Sequence, residues 1–286
     1  MNILITGANG QLGSELKALS QKFSNINFHF TDVEDLDITD RDRLPKYIAN
    51  KNFEFIINCA AYTNVDKAEE DKDKAFLINQ TAVRNLVSAA HKSGSKLLHI
   101  STDYVFDGKS FVPYKESHKT NPISIYGKSK YAGEQEVIGG NAKAIIIRTS
   151  WLYSQFGKNF VKTIYKLASE REQLNVIFDQ IGTPTNARDL AKIILLIIEQ
   201  NNTAIFDQKE IYHFSNEGVC SWFDFARKIV EYKDLNCRII PIETTEYPTP
   251  APRPNYSVLN KKKIKELLKI EIPHWEDSLK ETLKNI

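Results

Sequence analysis

Cysteine is scarce in this sequence: 286 residues contain three, Cys59, Cys220 and Cys237, an odd number at wide spacing. That pattern makes neither a disulfide framework nor a zinc site, and it fits a reducing compartment. Long apolar runs are missing too. The longest, residues 193–198, is bounded by Lys192 and Glu199 and falls far short of the ~20 residues that cross a bilayer. Nor does either charge dominate: 38 Lys+Arg against 36 Asp+Glu leave a net charge of +2. No bulk field therefore recruits nucleic acid or a membrane surface, and an anionic partner must be small and met by a local pocket. Met1 leads directly into a short strand with no basic or apolar leader, so the expected location is the cytoplasm. Internal repeats are absent, and compositional bias is confined to the proline-rich stretch 247–254.

What the sequence does have is enough apolar residue, 42%, for a nucleotide-binding domain and a smaller second lobe. Residues 2–6 are β-rich, 7–13 read GANGQLG, and Leu12, Leu16 and Leu19 then recur at helical spacing. Strand, tight glycine turn and helix are the arrangement that brings a pyrophosphate to main-chain N–H groups at a helix N-terminus. The glycines are spaced G-x-x-G-x-x-G, at Gly7, Gly10 and Gly13, with Gln11 and Leu12 between them. A second strand, 28–31, ends in Asp32, at the ~20 residues past the turn where an acid takes the adenosine ribose. Its charge opposes a 2′-phosphate, which favours NAD(H). Residues 37–40 read as the start of the next helix, with Thr39 or Asp40 as cap.

Strands at 53–58, 96–100 and 144–147 alternate with helical stretches at 66–92 and 126–136. The expected fold is α/β: a Rossmann-type doubly wound parallel sheet over residues 1–150, with a smaller C-terminal α/β substrate lobe over 151–286. The chain is allowed to cross back between lobes. Asn79 falls within the long helical stretch, where it could hold a water or a main-chain group near the site, although a surface amide is the default reading. In the second lobe, helices are expected at 160–168, 187–199, 222–231 and 261–268, and a strand at 211–214.

The chemistry centres on residues 126–130, YGKSK, which put a phenol and an ammonium one helical turn apart. A lysine cation beside Tyr126 would stabilise its phenolate and lower its pKa, so that Tyr126 and Lys130 form an acid/base centre. Thr102 follows the fourth strand at its carboxyl end, where a doubly wound sheet keeps its ligand, and its hydroxyl is placed to meet a substrate carbonyl.

With TGANGQLG, STDYVF and YGKSK in this order, the chain resembles the extended short-chain dehydrogenase/reductase superfamily, and more closely its dTDP-4-dehydrorhamnose reductase family. The likeness extends through residues 60–69, 101–108, 148–153, 179–185 and 253–260. The resemblance implies a Rossmann fold and reduction of the C4 ketone of dTDP-4-dehydro-β-L-rhamnose, the last step of dTDP-rhamnose biosynthesis. It implies NADH or NADPH as cofactor, a small dTDP-keto sugar as partner, and, as in some members, a homodimer with Mg²⁺. Tyr126 becomes the general acid, Lys130 its partner on the ribose, and Thr102 the hydroxyl on the ketone. Gly10 to Gly13, Asp32, Asp37, Ile38, Ala61, Tyr62 and Thr63 are implied at the dinucleotide, and Thr102, Asp103 and Trp151 at the substrate.

Related 4,6-dehydratases carry an Asp-Glu pair after the threonine, whereas Tyr104 stands in the second position here, which favours plain ketone reduction. Arg253, with Lys158, is a candidate for the sugar nucleotide's pyrophosphate. No carboxylate cluster in the sequence commits to a metal site. A non-catalytic dinucleotide-binding regulatory subunit, or a reductase of another 4-keto sugar nucleotide, remains the alternative.

Overall fold

The computed structural model describes residues 1–200 and 204–286. Strands β1 (Asn2–Thr6), β2 (Asn27–Thr31), β3 (Phe55–Asn58), β4 (Lys96–Thr102) and β5 (Ala144–Thr149) form a parallel sheet. Between them run α1 (Gln11–Ser20), α2 (Arg43–Lys51), α3 (Lys67–Glu70), α4 (Lys72–Phe76), α5 (Ala82–Ser93) and α6 (Ile125–Gly139). The sixth strand, β10 (Ile211–His213), joins beyond β5, giving the order β10-β5-β4-β3-β1-β2. The order reverses between β1 and β3, and a doubly wound sheet opens its ligand crevice at that switch point.

The central strands are buried on both faces, which is why they read as nearly continuous apolar runs. Ile3, Ile5, Ile57, Leu98 and Ile145 pack against Leu12, Leu16 and Leu19 of α1. Leu4, Ile56, Leu97 and Ile146 pack on the opposite face with Leu44, Ile48, Leu86 and Val137. Each such side chain, fully buried, contributes roughly 1.5–3 kcal/mol.

After β5 come β6 (Leu152–Tyr153), α7 (Phe160–Glu170), β7 (Gln173–Ile177), β8 (Ile181–Gly182) and β9 (Thr185–Asn186). Next are α8 (Ala187–Glu199), α9 (Ala204–Asp207), β10 (Ile211–His213), β11 (Cys220–Ser221) and α10 (Trp222–Tyr232). The chain ends with β12 (Arg238–Ile242), α11 (Lys262–Leu268) and α12 (Trp275–Leu283). This part does not stay apart from the first sheet: Leu190 and Ile194 of α8 pack against α1, and β10 pairs in parallel with β5. A separate core gathers Tyr153, Val161, Phe225, Ile229, Trp275 and Leu279.

Two local expectations need correcting. The helix expected to begin at Thr39 or Asp40 begins at Arg43, although Asp40 Oδ1 does accept from the N–H groups of Asp42 and Arg43. The stretch 66–92 is not one helix. It breaks at Asp71 (φ −94°, ψ 45°) between α3 and α4 and then widens into a π turn at Leu77–Thr81. Helix α6 crosses there so closely that a Cβ on Gly133 would stand 2.1 Å from the Asn79 carbonyl oxygen.

Candidate active site

The carboxyl ends of the strands open into a cavity of about 940 Å³. Its floor is the glycine turn. Gly7 has φ +67°, and a Cβ there would lie 2.6 Å from Ala60 Cα. A Cβ on Gly13 would lie 2.5 Å from the Gly7 carbonyl oxygen. Gly10 precedes α1 in extended backbone, and no side chain of the described residues caps the helix. The first N–H groups of α1 are therefore left for a ligand, and a bare helix N-terminus behind close-packed glycines fits a dinucleotide pyrophosphate.

Asp32 closes β2 beside the turn. Its Oδ2 accepts from Asn9 N at 2.8 Å and its Oδ1 from Val33 N at 2.9 Å, which fixes the carboxylate while leaving lone pairs for ribose hydroxyls. Asp37 is held by Thr39, whose N–H and Oγ1 both donate to Asp37 Oδ1. Asp37, Ile38, Ala61 and Thr63 line the same cavity as Gly7, Gly10, Gln11, Leu12 and Gly13.

Tyr62 does not join them. Its hydroxyl donates to Asp71 at 3.1 Å, while its main-chain N–H and carbonyl are both taken by Asn79, at 2.8 and 3.0 Å. Asn79 is itself buried, contrary to the expected exposed amide. The π turn carries it inward, and no helical periodicity announces that geometry.

Helix α6 starts at Ser124, whose Oγ accepts from Gly127 N, while Glu69 accepts from Ile125 N at 2.8 Å. Tyr126 and Lys130 leave this helix into the cavity. Lys130 is buried, and its Nζ donates to the Ile100 carbonyl at 2.6 Å. Burial lowers its pKa to about 8, against the opposing pull of Glu134 and Cys59. Tyr126 packs edge-on against Tyr104, with ring centroids 5.4 Å apart.

The expected lowering of the Tyr126 pKa is not what the structure gives. Burial pushes it up to about 12, the adjacent Thr102 hydroxyl holds it back, and Asp103 raises it. The lysine ammonium is committed to a carbonyl, so desolvation of the phenolate wins. The result is a phenol held neutral, which is the form that donates a proton.

Thr102 ends β4 and caps the short 3₁₀ turn Asp103–Val105, accepting from Tyr104 N at 3.2 Å. Its own hydroxyl donates to Asp103 Oδ1 at 2.9 Å. Burial raises the Asp103 carboxyl to about 6, moderated by the Ser257 and Thr102 hydroxyls. Cys59 also lines the cavity, and burial pushes its thiol up to about 12, so it is no nucleophile at neutral pH.

The substrate-side candidates divide. Trp151 lines the cavity with φ +46° and stacks on Trp222 at 3.5 Å between ring centroids. A Cβ on Gly182 would come within 2.5 Å of the Trp151 ring. Lys158 also reaches the cavity. Arg253 lies outside its lining: Nη2 donates to Asp66 Oδ2 at 2.7 Å and Nη1 to the Ala251 carbonyl. The sequence reading missed Trp222, although a capping pattern at Ser221 and Asp224 marks it as the first residue of α10. It also missed Thr149, which like Ser101 at the end of β4 is a buried cavity-lining hydroxyl without a hydrogen-bond partner among the described residues. Among the described residues no group of three or more His, Cys, Asp or Glu side chains could hold a metal. No helix among them is long and apolar enough to cross a membrane.

The chain matches the family model described as "RmlD substrate binding domain" over residues 1–286. A dTDP-4-dehydrorhamnose reductase of Sinorhizobium fredii (strain NBRC 101917 / NGR234) is 39% identical over 283 residues, covering 97% of this chain and 95% of the relative. Among solved structures, a dTDP-4-dehydrorhamnose reductase from Clostridium acetobutylicum ATCC 824 is 43% identical with a TM-score of 0.93, covering 99% of each chain. Another, from Bacillus anthracis str. Ames in complex with NADP, is 41% identical with a TM-score of 0.92, covering 100% of this chain and 99% of its own.

Proposed function

The chain belongs to the dTDP-4-dehydrorhamnose reductase family, and from that membership we infer that it reduces the C4 ketone of dTDP-4-dehydro-β-L-rhamnose to dTDP-β-L-rhamnose. This is the closing step of dTDP-rhamnose biosynthesis, and NADH or NADPH, when bound, supplies the hydride. The observation that carries the reading is the meeting of Tyr126, Lys130 and Thr102 in the cavity that the glycine turn floors.

The chain's own work is alignment and proton supply. Tyr126, kept protonated by burial, delivers its proton to the O4 oxygen as negative charge grows there. Lys130 is still cationic at neutral pH and stabilises the phenolate left behind. The Thr102 hydroxyl orients the carbonyl when Asp103 is protonated, because the ionised carboxylate takes the Thr102 hydrogen for itself. Trp151, backed by Trp222, supplies an aromatic wall for the sugar nucleotide, and Lys158 a cation for its phosphates. Arg253, engaged by Asp66, acts by holding residues 251–253 against α3 rather than by gripping substrate.

A regulatory dinucleotide-binding subunit has no use for a buried phenol beside a buried ammonium, which disfavours that alternative. Three free thiols support a cytoplasmic location. The test is Tyr126→Phe, followed by NADH absorbance with dTDP-4-dehydrorhamnose. Turnover should fall steeply while NADH affinity holds, and near-wild-type turnover would remove Tyr126 from the mechanism. Equal activity on an unrelated 4-keto sugar nucleotide would instead favour the broader reductase reading.

A further inference from the structure

Two hydroxyls at the strand ends have no partner among the described residues, and they differ in where they face. Ser101 Oγ and Thr149 Oγ1 are both buried, both line the cavity, and both lack a hydrogen-bond partner among the described residues. A buried hydroxyl left unpaired is costly enough that it calls for an explanation, and a ligand that completes it is one.

The pleat separates the two. Ser101 is in register with Arg148, and Thr102 is in register with Thr149. Register partners on neighbouring strands share a face of the sheet, so Thr149 stands beside Thr102 on one face while Ser101 belongs to the other. Thr102 and Tyr126 mark where the substrate carbonyl must lie if the proposed reduction holds. A hydride donor has to approach that carbonyl to within bonding range, which brings the nicotinamide ring next to Thr102 and therefore next to Thr149. The ring carries one polar substituent, its carboxamide. Everything else it offers is apolar and could not satisfy a hydroxyl.

We propose that Thr149 is a cofactor-binding residue whose hydroxyl pairs with the nicotinamide carboxamide and fixes the rotation of the ring about its glycosidic bond. This rests on the reductase reading and adds a residue and a contact to it. Thr149 immediately precedes Ser150 and Trp151, and Ser150 Oγ donates to the Thr183 carbonyl at 2.8 Å, so the segment bearing Thr149 is tethered on its far side. The hydroxyl is thus presented by fixed backbone.

The test measures binding in the absence of substrate. Dissociation constants for NADH and for ADP-ribose, which lacks the ring, are measured by tryptophan fluorescence or calorimetry for wild type, Thr149→Val, Thr149→Ser and Ser101→Ala. Thr149→Val, nearly the same shape without the hydroxyl, should weaken NADH roughly tenfold, the size of one lost buried hydrogen bond, and leave ADP-ribose unchanged. Thr149→Ser should restore NADH binding, and Ser101→Ala should leave the NADH to ADP-ribose ratio at its wild-type value. A damaged fold would weaken both ligands together, so an unchanged ratio in Thr149→Val overturns the proposal whatever the absolute values. Wild-type protein that bound neither ligand would overturn the dinucleotide reading and this contact with it. Wild type that bound NADH while Thr149→Val bound it equally well would sink the contact alone.

Discussion

Asn79 Nδ2 donates to Ser129 Oγ at 2.9 Å, and Ser129 Oγ donates in turn to the Tyr126 carbonyl at 2.8 Å. The same amide brackets the main chain of Tyr62, between the cofactor-side residues Ala61 and Thr63. One side chain therefore ties the cavity-lining loop at residues 61–63 to the first turn of α6, which carries Tyr126. Ser129→Ala cuts only the helix side of this tie. It should lower kcat about two- to tenfold, the worth of one hydrogen bond, with KM for NADH unchanged. Asn79→Ala also frees Tyr62 and should raise that KM as well. Steady-state kinetics of the two variants separate these effects, and equal changes in both parameters for Ser129→Ala would contradict the tie.

Asp32 ends β2 beside the glycine turn, where the proposed function puts the adenosine ribose, with its carboxylate anchored by the N–H groups of Asn9 and Val33. A 2′-phosphate brought to the same place is repelled, so NADH should be preferred, although a family member has been solved with NADP. Asp32→Asn keeps the shape and one acceptor while removing the charge. The ratio of kcat/KM for NADPH to that for NADH should rise about tenfold or more. An unmoved ratio would show that the charge does not set the choice.

Asp103 should give the proposed reduction a pH dependence. Above about 6 it is ionised and accepts the Thr102 proton, so Thr102 has no hydrogen to offer a ketone. Below about 6 the carboxylic acid can donate to Thr102 instead, and the threonine hydroxyl is released toward the carbonyl. Burial has raised this pKa, so the protonated form extends upward from the ordinary carboxylate range to about 6. The acidic side of that pKa should therefore be the more active, with kcat/KM declining as pH rises through it. Asp103→Asn, whose amide can donate at every pH, should flatten this limb. A limb that persists in the variant belongs to another group.

How much of this was legible depends on whether a feature is local. Residues 2–6, the glycine turn and the Tyr126/Lys130 spacing are all set by near neighbours, and each appears where periodicity and turn chemistry put it. The π turn at Leu77–Thr81 was not legible, because it depends on the close crossing of α6 at Gly133. The engagement of Arg253 by Asp66 spans most of the chain, and a proline-flanked arginine carries no mark of its partner. The direction of the Tyr126 shift was misjudged for a related reason. The sequence shows that a lysine is near, whereas burial and the Ile100 carbonyl that occupies that lysine belong to the fold.

The buried pair beneath the site offers the most exacting test of how stability and chemistry are joined. Arg148 Nε and Nη2 donate to Glu134 Oε1 and Oε2 at 2.8 and 2.6 Å, with the side chains 3% and 0% exposed. The guanidinium also lies 5.1 Å from the centroid of the Phe106 ring. Glu134 sits one turn beyond Lys130 on α6, and its charge draws the Lys130 pKa upward against burial. Glu134→Gln leaves Arg148 charged without a counter-ion and should cost about 3–5 kcal/mol in denaturant unfolding. It should also let the Lys130 pKa drop below about 8, moving the alkaline loss of kcat to lower pH. Adding Arg148→Met to Glu134→Gln removes the stranded charge, so stability should largely return while the alkaline limb stays displaced. If that limb returned together with stability, Glu134 would be acting through the fold alone and not through its field at Lys130.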